Sequence, residues 1–144
     1  MDIEQIRDAL PDYARDLKLN LGSVLTAQGA PGLNEKQIWS IALASAIAAR
    51  NTTFARDIEA QARAHIADVE VEGAKAAAAI MAMNNIYYRF LHLVEDGEYQ
   101  SMPARLRMNV IANHGIDKLD FELISLAVSA VNGCGLCVTS HEKK

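Results

Sequence analysis

Apolar residues recur every three or four positions along most of the chain, and no stretch alternates apolar and polar residues for the length of a strand. That period restricts the fold to helices packed on helices, because a side chain returns to the same face of a helix every 3.6 residues. Aromatic residues are only 6% of the sequence and alanine is abundant. Strands favour β-branched and aromatic residues, so this composition points the same way. The expected class is all-α, in one domain over 1–144.

The start and stop signals divide the chain. Ile3, Ile6 and Leu10 make a short amphipathic helix ending near Pro11, and Asp12 is positioned to cap a second carrying Leu17, Leu21, Val24 and Leu25. Gly29, Pro31 and Gly32 break it. Asn34 with Gln37 forms a capping box for a helix that runs to Arg50. Thr53 opens the next, through Ile58, Ala62 and Ile66. A restart near Glu72 and Gly73 leads into a long helix over 74–94, ended by Gly97. Pro103 suits the first turn of a helix closing at Gly115, and Asp117 caps another through Phe121, Ile124 and Val128. Asn132 and Gly133 interrupt it, and Cys134 opens the last.

Shifted by 83 positions, "LNEKQIWSIALASAIAARN" (33–51) lies over "IDKLDFELISLAVSAVNGC" (116–134). The caps Asn34 and Asp117 coincide, Ile41 meets Ile124, and Asn51 falls on Cys134. This predicts an internal duplication with a first repeat over 33–95 and an incomplete second over 116–144. On that symmetry the second copy lacks its last helices, and the chain is expected to be shortened at its C-terminus.

A net charge of −4 offers no electrostatic footprint for nucleic acid. The richest apolar stretch, 38–49, is too short to cross a bilayer, which takes roughly 20 residues. Asp2, Glu4, Asp8, Asp12 and Asp16 are unlike the basic start of a secretory signal. The expectation is a soluble cytosolic protein, where a close cysteine pair is catalytic or metal-binding more often than structural.

The only cysteines, Cys134 and Cys137, stand in "NGCGLCVTSHEKK". A tetrahedral zinc site would need His141 and a fourth ligand such as His114, whose spacing does not aim it at the pair. Haem attachment requires a histidine where Val138 stands. A redox dithiol fits better. Residues at i, i+3 share a helix face, and a helix N-terminus favours the thiolate of Cys134. His141, one turn beyond Cys137, can take that thiol's proton directly or through a water. Such a base needs an orienting partner, and Glu122 on the preceding helix is a candidate that is either solvated or buried with a partner. His65, His92 and His114 read as surface, structural or capping residues. Met81, Met83, Tyr87, Tyr88 and Phe90 read as core, oligomer contact or channel lining.

The run Glu122-x11-Cys134-x-x-Cys137-x3-His141, within "FELISLAVSAVNGCGLCVTSHE", resembles the alkyl hydroperoxide reductase D branch of the carboxymuconolactone decarboxylase-like family. "IALASAIAARN" and "MAMNNIYYRF" extend the resemblance over essentially the whole chain. It implies a helical, duplicated fold, a homotrimer and a bacterial cytoplasmic setting. It also implies a dithiol alkyl hydroperoxide reductase or thiol-disulfide adaptor that holds no bound cofactor. Electrons would pass from dihydrolipoamide, on a lipoylated protein or another dithiol donor, to peroxide or to a peroxiredoxin of the AhpC type. Glu122 would orient His141 through water, and Cys134 and Cys137 would form the redox-active disulfide. The histidine favours Cys137 for attack on peroxide, with Cys134 the more accessible to donor and partner. Some members carry a histidine where this chain has Leu136, so that residue's proton relay is absent. The alternatives are a non-enzymatic redox-sensing or zinc-binding dithiol module and a decarboxylase-like lyase.

Overall fold

The computed structural model describes residues 1–144. Eight α-helices follow one another: α1 (Ile3–Asp8), α2 (Arg15–Val24), α3 (Glu35–Ala48), α4 (Thr52–Ala62), α5 (Asp68–Leu93), α6 (Gly97–Ser101), α7 (Lys118–Val131) and α8 (Gly135–Glu142). There is no strand, as the periodicity predicts, and no helix is long and apolar enough to cross a membrane.

The strongest caps form as read. Asn34 accepts from the Gln37 N–H while the Gln37 side chain accepts from the Asn34 N–H. The Asp117 carboxylate takes the N–H groups of Leu119 and Asp120 at the start of α7. α4, however, is capped by Asn51 rather than opened by Thr53, and it ends at Ala62 before Ile66. Asp12 caps nothing: it lies in a 3-10 turn, Asp12–Ala14, ahead of α2.

α3, α5 and α7 pack on one another, with α4 against α3 and α8 against α7 and α5. Leu43, Val71, Met81, Phe121, Ile124 and Val128 fill the centre and are almost wholly buried. Each large apolar side chain buried this way contributes about 1.5–3 kcal/mol. Ala74, Ala77 and Ala78 keep α5 slim where the others cross it.

Gly73 is inside α5, not at a restart. A Cβ there would stand 2.7 Å from the Ile116 side chain, so the glycine makes room for a neighbour instead of breaking the helix. The predicted helix from Pro103 to Gly115 does not form either. Only a 3-10 turn, Asn109–Ala112, interrupts the segment. Arg105 takes a φ of 51°, and Met108, Val110 and Ile111 turn in against the core. Packing of those three side chains overrides the local helix signal.

α3 and α7 meet through a polar contact. Gln37 Nε2 donates to Asp120 Oδ1 at 2.7 Å, and Lys36 Nζ pairs with Asp120 Oδ2 at 2.7 Å. Burial disfavours the Asp120 charge, but the hydrogen bonds from Lys36 and Gln37 and the Lys36 charge outweigh it and hold the carboxyl below its ordinary value.

Candidate active site

α7 ends in a turn that fixes where Cys134 emerges. Gly133 has a φ of 69°, its N–H donates to Ala130 O, and the Cys134 N–H donates to Ser129 O at 3.0 Å. This closes the helix with two reciprocal bonds and an αL residue, a conformation glycine adopts without penalty. Side chains from α5 brace the turn. Asn85 Nδ2 donates to Ser129 Oγ, Asn132 Nδ2 to Asn85 Oδ1, and Arg89 Nη1 to Asn132 O at 2.8 Å.

Cys134 is the N-cap of α8, and its sulfur accepts the Cys137 N–H at 3.3 Å. The two sulfurs are joined in a disulfide across one turn, with Cα atoms 5.3 Å apart. Cys134 has no exposed surface, whereas Cys137 is 6% exposed. The expectation that Cys134 is the more accessible sulfur is therefore corrected. Its capping role turns it beneath the helix start, while Cys137, itself buried, borders a pocket.

The structure brings Glu122 and His141 together. His141 Nδ1 lies 2.6 Å from Glu122 Oε2, and the two side chains are 15% and 14% exposed. The contact is direct, so the water expected between them is not needed. With Nδ1 engaged by the carboxylate, Nε2 is the ring nitrogen left for another partner.

Cys137 and His141 line one pocket of about 410 Å³, open to solvent. Met81 and Tyr88 from α5, Met108 and Ile111 from the 102–112 segment, and Leu136 supply its apolar wall. Asn84 and Ser140 complete it. The sequence reading did not single out Asn84, Met108, Ile111 or Ser140. A helical-wheel signal existed for Asn84, which shares a face of α5 with Met81 and Tyr88. Of the other aromatic-segment residues, Phe90 is half exposed against Tyr99, and Tyr87 packs edge-on against Tyr88.

The zinc quartet does not assemble: no group of three or more His, Cys, Asp or Glu is placed to hold a metal ion. His114 stacks on Phe121 with ring centres 4.1 Å apart, and its Nδ1 accepts the Ile116 N–H at 3.4 Å in the turn before α7, so no helix ends there for it to cap but the local backbone bond forms. His65 stacks on Trp39 and pairs with Glu35. A second cavity, about 290 Å³ and almost wholly apolar, lies among α2, α3 and α4. It contains neither cysteine and no titratable side chain.

Residues 97–144 match the model of the carboxymuconolactone decarboxylase family. A protein of Coxiella burnetii (strain RSA 493 / Nine Mile phase I) named alkyl hydroperoxide reductase AhpD is 57% identical over 139 residues, covering 96% of this chain and 78% of the relative. Relatives of the same name from Rhodospirillum centenum and Streptomyces coelicolor are 54% and 52% identical. They cover 100% and 99% of this chain, and 76% and 79% of their own lengths.

Proposed function

Because the chain belongs to the alkyl hydroperoxide reductase AhpD proteins of the carboxymuconolactone decarboxylase family, we propose that it is an oxidoreductase that reduces hydroperoxides through the Cys134–Cys137 dithiol. The observation that carries this reading is a directly bonded Glu122–His141 pair beside the pocket that Cys137 lines.

Glu122 holds the Nδ1–H of His141, and His141 takes the Cys137 proton on Nε2. The Cys137 thiolate attacks the terminal oxygen of the hydroperoxide. The O–O bond breaks, Cys137 becomes a sulfenic acid, and the departing alkoxide takes a proton from His141 to leave as an alcohol. The Cys134 thiol then attacks the Cys137 sulfur. Its proton leaves with the hydroxyl as water, and the disulfide forms.

A dithiol reverses the oxidation. One donor thiolate attacks Cys137, the cysteine that lines the pocket, and Cys134 leaves as a thiolate held by the N–H groups at the start of α8. A leaving thiolate stabilised in this way speeds exchange. The second donor thiol then releases Cys137. Dihydrolipoamide, free or on a lipoylated protein, is the donor of this reading, and an AhpC-type peroxiredoxin disulfide is the alternative acceptor. A homotrimer in the cytoplasm belongs to the same reading.

The domain reading is one unit over 1–144, with repeats over 33–95 and 116–144. Three geometric correspondences at an offset of 83 support it. α3 and α7 are each 14 residues long with the caps Asn34 and Asp117. Arg50 and Gly133 both take positive φ. Asn51 and Cys134 each cap the following helix by accepting the N–H three residues on.

The test is NADH-linked consumption of an alkyl hydroperoxide through dihydrolipoamide and its dehydrogenase, with and without a peroxiredoxin. Turnover abolished by Cys134→Ser and by Cys137→Ser is the expected result. Absence of turnover in the parent chain refutes the reading, and lyase activity surviving loss of both thiols replaces it.

A further inference from the structure

Asn84 is buried, with 5% of its surface exposed, yet its amide is poorly used. Its Oδ1 has no hydrogen-bond partner. Its Nδ2 reaches only the Met108 sulfur, at 3.6 Å, a weak acceptor. The neighbouring Asn85 is the opposite case, bonded through both amide atoms to Ser129 and Asn132. A buried amide left this way destabilises the fold, so an unsatisfied one calls for an explanation. Asn84 lines the same pocket as Cys137 and His141.

We propose that Asn84 is the residue that positions the hydroperoxide for attack by Cys137, an inference that rests on the peroxide-reducing reading above. A hydroperoxide R–O–O–H offers one donor, the terminal O–H, and acceptors on both oxygens. A primary amide is its complement. A turn of the side chain that brings Oδ1, buried and unbonded at rest, to the pocket lets it accept the terminal O–H, and Nδ2, exchanging the methionine sulfur for a better acceptor, donates to the oxygen that bears R. That second oxygen gains negative charge as the O–O bond breaks, so the donated bond strengthens in the transition state. The R group then lies against Met81, Met108 and Ile111. Cys137, His141 and the hydroperoxide supply every atom and electron of the step, and Asn84 transfers none.

The dithiol half-reaction makes a different demand. A donor thiolate needs the Cys137 sulfur and the Cys134 leaving group, and it has no O–O–H to hold. Asn84→Leu removes both amide functions while keeping the branched heavy-atom shape, though in a larger side chain, and ends the unsatisfied burial. Asn84→Asp keeps an acceptor but loses the donor.

The experiment measures two rates separately on each protein. Pre-reduced protein is mixed with cumene hydroperoxide and thiol loss is followed by rapid quench. Oxidised protein is mixed with dihydrolipoamide and thiol gain is followed. Both substitutions should slow the peroxide rate by about 100- to 1000-fold, the scale for losing one transition-state donor. The dithiol rate should change less than about 3-fold in Asn84→Leu, and thermal stability should hold or rise. A peroxide rate within about 3-fold of the parent in both variants overturns the assignment. So does a parallel fall of both rates in a variant that has lost stability, which marks a merely structural asparagine. A parent chain that reacts with dithiol but not with hydroperoxide overturns the underlying reading, and this inference with it.

Discussion

Changing Glu122 to Gln replaces one carboxylate oxygen with an amide NH₂ and leaves the shape of the side chain intact. In the parent, that carboxylate lies 2.6 Å from His141 Nδ1, and both groups are about six-sevenths buried, at 14% and 15% exposure. A charge-assisted bond of this kind contributes about 1.5–3 kcal/mol. Solvent screening is modest at such burial. The bond matters most when His141 holds the Cys137 proton and carries a positive charge, so its loss falls on the ionisation step. At 1.36 kcal/mol per tenfold, the peroxide-driven oxidation of Cys137 should slow by roughly 10- to 150-fold near pH 7. The glutamine can also present its NH₂ to Nδ1, which moves the ring proton to Nε2 and removes the base from the pocket side. A free thiol ionises near pH 8.5 without help, so the gap between parent and variant should narrow as pH rises through that range. The assay is rapid-quench thiol titration of pre-reduced protein against cumene hydroperoxide from pH 6.5 to 9.5. A deficit below about 3-fold at pH 7, or a ratio unchanged across the range, would refute the assignment of Glu122 as the partner that makes His141 a base.

Asp120→Asn should lower stability by about 1–2 kcal/mol at pH 7, since it weakens the contact joining α3 to α7. Asp120 is held below its ordinary value of 3.8, so its contribution is full above that value and is lost as pH falls through the folded value. Urea unfolding at pH 7 and at pH 3 should therefore show the two proteins converging in acid. Gly73→Ala should cost a net 1 kcal/mol or so, because overpacking of about 1–3 kcal/mol against Ile116 exceeds the helix-propensity gain. Adding Ile116→Ala should reverse the sign of the Gly73→Ala effect in a double-mutant cycle. In Cys134→Ser the remaining Cys137 should react with an aromatic disulfide at least about tenfold faster than does Cys134 in Cys137→Ser, following their difference in access. Equal rates would return Cys134 to consideration as the donor-facing sulfur.

What the sequence made legible is local chemistry. The caps at Asn34 and Asp117 are read from polar side chains and their own neighbours, with nothing distant required. The cysteine pair and His141 are legible because one helix turn brings them to one side. Glu122 needed a guess that α7 and α8 fold back together, and the structure makes that contact. Two of the failures share a cause. Gly73 reads as a breaker until Ile116, from a distant part of the chain, occupies the space a Cβ would need. Pro103 reads as a helix start until Met108 and Ile111 are required as a wall of the pocket. The accessibility of Cys134 and Cys137 was inverted because an N-cap side chain folds back over its helix, a direction that spacing alone does not give.

The disulfide spans a single turn, between the cap and the third residue of α8. Its two ends therefore need no domain closure or loop transfer to meet. A sulfenic acid on Cys137 faces a partner held at an effective concentration far above that of any solute, on the scale of intramolecular reactions. Further oxidation to the sulfinic acid competes with that reaction and should stay rare until peroxide is very abundant. The lifetime of the reactive intermediate is thus set by helix geometry, and solvent viscosity should leave it almost untouched.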